Sequence, residues 1–248
     1  MIRGFYAGAS CMVSQQTNLN TVANNIANVS TTGFKPQTTA FSALMYQNVN
    51  GGDGNYIQNG HGVRVQKNGI NFTQGDLKST GMPMDCAIVG DGFFAVENRD
   101  DGTLAYTRDG AFQLSVDESE TYLVNGAGNY VLDAEGERIT VSAVTTTTDT
   151  NGNVTTTGGF DPSDIGVYTF PNKYALELTG NNQYRETEAS GEAAAVTSPA
   201  IKVGYLENSK VELAQEMVKM IEASKAFSLG SKVVQTADDM ERVINQLR

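Results

Sequence analysis

Asn18-Leu19-Asn20-Thr21-Val22-Ala23-Asn24-Asn25-Ile26-Ala27-Asn28-Val29-Ser30-Thr31-Thr32-Gly33-Phe34-Lys35-Pro36, residues 18–36, is the stretch on which the fold is decided. Leu19, Ala23 and Ile26 continue a series that starts at Ile2 and passes through Phe5, Ala9, Met12 and Gln16 at alternating intervals of three and four. This is the heptad seam of an amphipathic helix, with Gln16 as its one polar member. The spacing suits equally a helix packed on its own domain and one packed on another chain. The helix is expected to stop at Ser30-Thr31-Thr32-Gly33. Gly33 tolerates φ > 0, and Pro36 disfavours the helical conformation at Lys35.

Working outward, the other end of the 248-residue chain repeats the pattern. Ala226, Gly230, Val233, Ala237, Met240, Ile244 and Leu247 recur at intervals of four and three, and Val211, Ala214, Val218 and Ile221 form a shorter run upstream. The two runs slip out of phase near Lys225, which implies a wide apolar face or a change of packing partner. One helix is expected from about Glu207 to Leu247, roughly 60 Å long at 1.5 Å per residue. Part of such a helix must pack on something beyond a β domain of this size.

The middle reads differently. Asn-Gly or Asp-Gly pairs at 59–60, 68–69, 91–92, 101–102, 109–110, 125–126 and 151–152 separate short runs such as Cys86–Val89, Phe93–Val96, Leu104–Thr107, Tyr122–Val124 and Tyr130–Leu132. Such pairs supply the φ > 0 that tight hairpin turns need, so an antiparallel β domain is expected from about 75 to 190. The Thr-rich stretch 145–159 is expected to be an exposed hairpin tip or mobile loop, and 47–60 a second weakly structured stretch. The fold class is therefore α+β: long N- and C-terminal helices forming a coiled-coil core domain (1–35 and 207–248), extended connections (36–74 and 191–206) and an inserted β domain (75–190).

Charge follows the same division. Residues 1–50 carry +2, residues 201–248 balance seven bases against seven acids, and the stretch between carries −13, giving the net −11. No basic stripe is available for nucleic acid or anionic membrane. The first residues lack the long apolar core of a cleavable secretory signal, and no run is long enough to span a bilayer. Cys11 and Cys86 form no disulfide framework and read as small packed hydrophobes. His61 is the sole histidine, so a metal site is not expected. Gly90-Asp91-Gly92-Phe93-Phe94 resembles a phosphate loop but lacks the third glycine and the helix. Asp149-Thr150-Asn151-Gly152-Asn153 departs from a calcium loop at Val154 and Phe160. The pairs Asp100-Asp101 and Asp238-Asp239 read as solvated charge. No catalytic residue, cofactor or metal ligand is assigned, and an enzyme is not expected.

Ala23 to Lys35 resembles the N-terminal signature of the bacterial flagellar axial proteins, the rod and hook family. Gly204 to Val211, Glu216 to Ala223 and Gln235 to Met240 are similar to its C-terminal region. Ala87 to Val96, Tyr106 to Phe112, and Gly180 to Tyr184 followed by Ser190-Gly191 are similar to its middle. Lys210, Lys225, Phe227 and the 140–165 region depart from the pattern. Rod subunits are similar to this chain in length and in having one modest β domain, whereas hook-type subunits are usually longer. The resemblance implies a structural subunit, with its terminal helices paired as a coiled coil lining an axial tube and its β domain outside. It also implies partners: other copies of itself, other rod and hook subunits, and the flagellar type III export machinery, with residence in the basal body after export without a cleavable signal. Outside the assembly the ends are expected to be largely disordered. The seam and the resemblance together put Ile2, Phe5, Met12, Leu19, Asn25, Ile26, Asn28, Gly33, Phe34, Met217, Ile221, Phe227, Val233, Met240, Ile244 and Leu247 at the assembly interface. A different reading, a secreted β-rich adhesin or hydrolase with helical oligomerisation ends, requires an aromatic-lined pocket or converging carboxylates in the β domain.

Overall fold

A computed structural model describes residues 2–50, 56–117, 120–141, 145–148, 154–157 and 162–247, with backbone only for residues 2, 3, 50, 145–148, 154–157 and 163. The chain is α+β and divides into two compact units. The first comprises Met1–Val29, Pro36–Asn71 and Val211–Arg248, and the second Ser30–Lys35 and Phe72–Lys210. The outer segment of the expected Thr-rich loop, residues 149–153, lies outside the described residues; the flanking 145–148 and 154–157 pair as an antiparallel hairpin.

The first unit holds helix α1 (Ile2–Ala27), helix α2 (Leu213–Gln246) and a β ribbon. Helix α1 ends at Ala27, three residues before the expected stop at Ser30–Gly33: Asn28 N donates to the carbonyls of Asn24 and Asn25, and Gly33, six residues beyond the end, takes φ 65°. Helix α2 begins six residues later than the periodicity indicated, because Tyr205–Glu207 is a strand paired with Leu77–Ser79. At 34 residues it spans about 50 Å. The ribbon pairs Gln37–Ala43 with Val63–Ile70, with an irregularity between Ala40 and Phe41, and continues as Tyr46–Asn50 with Tyr56–Gly60. The described parts of the stretch 47–60 are thus strand, and residues 51–55 lie outside the described residues. Asn59-Gly60 and Asn68-Gly69 lie inside strands, because cross-strand partners override the local turn preference.

The second unit is built on an antiparallel sheet of nine strands. Its central strand, Phe93–Glu97, pairs with Leu104–Thr107 on one side and with Val167–Thr169 and Tyr130–Val131 on the other. Glycine turns do operate here: Gly102, between the first two of these strands, has φ 62°. Phe94, Val96, Leu123, Val131, Ile165 and Val167 form the core, joined by Cys86 and Ile88 from a flanking strand. Fully burying one such side chain contributes about 1.5–3 kcal/mol. Phe94 and Phe112 meet edge to face at 5.1 Å.

Both cysteines are free thiols. Cys86 is fully buried and burial pushes its thiol up to about 12. A native chain treated with a thiol-alkylating reagent at pH 8 is therefore expected to be modified at Cys11 and spared at Cys86 until denaturant is added, as read by peptide mass. Modification of both at equal rates would contradict the packing of Cys86.

Candidate assembly interface

The two helices run antiparallel and pack on each other within one chain. Gly8 and Gly230 mark a close approach of the two helices. A Cβ on Gly8 would lie 3.0 Å from Val234 Cγ2 and 3.4 Å from the Gly230 carbonyl oxygen, and a Cβ on Gly230 would lie 3.0 Å from Met12 Cγ. On α2 the inward residues are Glu216, Ala223, Gly230 and Ala237, one every seven positions. Small residues at heptad spacing let the two backbones approach closely. At the far end of the pair Asn25, fully buried, donates from Nδ2 to Glu216 Oε2 at 3.1 Å.

A second face of α1 is occupied by the ribbon. Asn25 accepts from Gln37 N at 2.9 Å and donates to Gln37 O at 2.8 Å. Thr39 donates to Thr21 Oγ1, and Ser14 donates to Val63 O. Ser10, Ser14, Thr21 and Asn25 thus form a polar line that satisfies ribbon groups. This explains how α1 carries no acidic residue and yet is not apolar all round.

The seam residues divide into two sets. Gly230 and Ala237 are buried in the helix pair, and Ala9, Met12, Leu19, Ile26, Asn28, Ala226 and Phe227 are half-buried. Asn25, Gly33 and Phe34 are buried within their own units. The side chain of Ile2 lies outside the described residues. Phe5 is 45% exposed, Val233 and Ile244 47%, Met240 50% and Leu247 83%. Together with Leu229 and Val243 these last four α2 positions fall within an arc of about 100° beside the buried stripe. In the first half of α2 the exposed apolar residues Leu213, Met217 and Ile221 lie on the opposite flank of that stripe, while Val218, 55% exposed, stays on the same flank as Val233 and Ile244.

In the second unit, the segment after α1 is held by a cluster of charges that the sequence reading did not single out. Lys35 Nζ lies 2.5 Å from Glu207 Oε1 and donates to Thr73 O at 2.9 Å. Arg108 Nη1 donates to Glu207 Oε2 at 3.1 Å, and its Nη2 to Gly90 O at 2.6 Å. Glu207 Oε1 also accepts from Gly75 N at 2.7 Å. All three charged side chains are buried. Burial pulls the Lys35 ammonium below the usual lysine range, while the Glu207 carboxylate works against that shift. Thr32 Oγ1 donates to Asp109 Oδ1 at 2.7 Å, and burial pushes the Asp109 carboxyl up against that bond. Gly33 fits because a Cβ there would meet backbone atoms of Arg108 and Asp109 at 2.6–2.7 Å.

Comparison with known proteins adds the family. Residues 5–35 match the flagella basal body rod protein family, residues 87–159 the flagellar hook protein FlgE/F/G D1 domain, and residues 202–247 the flagellar basal body rod FlgEFG protein C-terminal family. The flagellar basal-body rod protein FlgG of Bacillus subtilis is 36% identical over 270 residues, covering 100% of both chains. The chain belongs to the flagellar basal-body rod protein family. FlgG of Borreliella burgdorferi is 34% identical over 267 residues, covering 100% of this chain and 99% of its own. FlgF of Caulobacter vibrioides is 32% identical over 246 residues, covering 98% and 96%. Within the rod family the chain is most like the distal rod protein FlgG. The rod-family matches include both helices and the Ser30–Lys35 segment that the buried charge cluster holds.

Proposed function

We propose that this chain is a structural subunit of the flagellar basal-body rod, polymerising helically through its terminal helices to form the hollow drive shaft. The observation that carries the reading is the outer apolar face of α2. Leu229, Val233, Met240, Ile244 and Leu247 are exposed along one flank of a helix whose small-residue stripe is already paired. Exposed apolar area of this kind calls for a partner. A second copy presenting the same helix pair supplies one, and a contact that does not close into a ring propagates as a helix. In this reading the α1–α2 pair joins its neighbours as a coiled coil lining the tube, and the acidic β-rich unit faces outward. Met217 and Ile221 serve a different neighbour from Val233 and Ile244, since they lie on opposite flanks. Asn25, Gly33 and Phe34 contribute by fixing the shape of their own units.

The family supports association with other rod and hook subunits and residence in the basal body. Passage through the flagellar type III export machinery, without a cleavable signal, belongs to the same proposal. The relatives are named as flagellar basal-body rod proteins, which favours this function over an adhesin or hydrolase. Electron microscopy of the concentrated protein tests the reading. Tubes or rods are the expected result, and a protein that stays monomeric under every condition that drives other axial subunits to polymerise would overturn it.

A further inference from the structure

The chain does not pass from one unit to the other only once. It enters the β-rich unit at Ser30, leaves after Lys35, returns at Phe72 and leaves finally after Lys210. Every one of these passages lies within a few residues of the same buried charges. Lys35 belongs to the first visit. Thr73 and Gly75, which bond Lys35 and Glu207, follow the re-entry. Glu207 precedes the exit, and its backbone carbonyl accepts from Gly33 N at 2.7 Å. Lys210 N donates to Phe34 O at 3.4 Å. Ser30–Lys35 is therefore a six-residue strap, further anchored by Asn182 Nδ2 donating to Thr32 O at 2.7 Å.

The charges in this junction do not balance. Lys35 and Arg108 are two buried cations facing one buried carboxylate, and Arg108 Nε has no hydrogen-bond partner among the described residues. The Phe93 ring, 5.6 Å from the guanidinium carbon, gives partial relief, and the exposed pair Lys173–Asp91 adds no net charge. Removing the one buried carboxylate described in the junction leaves two uncompensated buried cations, whereas removing one cation leaves a balanced pair.

We propose that the Lys35–Glu207–Arg108 junction is a single latch that seats all the passages of the chain into and out of the β-rich unit together, and that its surplus of positive charge makes Glu207 the one residue whose loss releases them all. This inference does not depend on the rod function; it follows from where the passages meet. Amide hydrogen exchange of the full chain reads it at Gly33 and Lys210, with Val96 in the central strand as an internal control.

In Glu207→Gln, exchange at Gly33 and Lys210 is expected to rise together by about a hundredfold while Val96 stays protected. Lys35→Met is expected to raise exchange at both by less than about tenfold, since the Arg108–Glu207 pair remains balanced. The double variant K35M/E207Q carries the wild-type charge surplus and is expected to recover much of the protection that E207Q loses. Additive loosening in the double variant, or a response at Gly33 without one at Lys210, would overturn the latch. If E207Q unfolds the whole sheet, seen as loss at Val96, then K35M decides alone: loosening under tenfold at both amides supports the proposal, and a larger loss refutes it.

Discussion

Gly33→Ala is expected to destabilise the β-rich unit by roughly 3–5 kcal/mol, well beyond the usual cost of a side chain at positive φ. Two costs coincide there. The residue sits at φ 65°, and the new methyl would lie 2.6 Å from the Arg108 carbonyl carbon and 2.7 Å from Asp109 N. Those are backbone atoms, so no side-chain rotation relieves the clash. The strap must move, and with it the bond from Gly33 N to Glu207 O. Gly81 is the matched control, with φ 70° and open space around its Cβ position. Gly81→Ala is expected to cost only about 1–2 kcal/mol. Urea unfolding of the two variants, compared by midpoint at constant slope, separates the steric part from the conformational part. Equal losses would show that the strap is free to shift.

Carboxylates on the outer flank of α2 carry the second large effect. Val233→Asp and Ile244→Asp are expected to abolish polymerisation while leaving the monomer's thermal unfolding almost unchanged. Both residues are about half exposed in the single chain, so a surface change there alters folding by no more than ~0.5 kcal/mol. In the polymer the same carboxylate is enclosed without a counter-charge, at about 3–5 kcal/mol per contact, which raises the critical concentration a hundredfold or more. Pelleting across a concentration series measures this directly. Normal assembly of both variants would place the contact elsewhere than on the C-terminal half of α2.

Much of the architecture could be read before the coordinates, and the exceptions have physical causes. The heptad spacing located both helices; the first ends at Ala27, and Gly33 serves the strap beyond it, where a left-handed residue is needed between Thr32 and Phe34. The seam itself was only half right as a burial pattern. Helix α2 turns Gly230 and Ala237 inward and leaves Val233, Met240 and Ile244 exposed, since one partner helix covers one flank. Ser10, Ser14 and Thr21 carried no sign of a partner in the sequence, and it is the ribbon that supplies one, through the Val63 backbone for the serines and the Thr39 hydroxyl for Thr21. Glu207 looked helical until Leu77–Ser79 claimed it as strand. The charge junction was the least visible feature. Its members are 172 and 99 residues apart along the chain, and a lysine before a proline gives no local sign of burial. A search for buried charge would have needed the sheet topology first.

The Gly33–Glu207 hydrogen bond also bears on the order in which the molecule takes shape. Asn25 and Glu216, which close the far end of the helix pair, are 191 residues apart. Joining them from an unfolded chain costs about 5 kcal/mol of loop-closure entropy. Once the β-rich unit has formed, residues 33 and 207 are already neighbours, and the remaining loop is shorter by about three doublings, a saving of about 2 kcal/mol. The sheet thus acts as a template that delivers the ends of the chain to each other. On this count the helix pair is expected to form after the sheet.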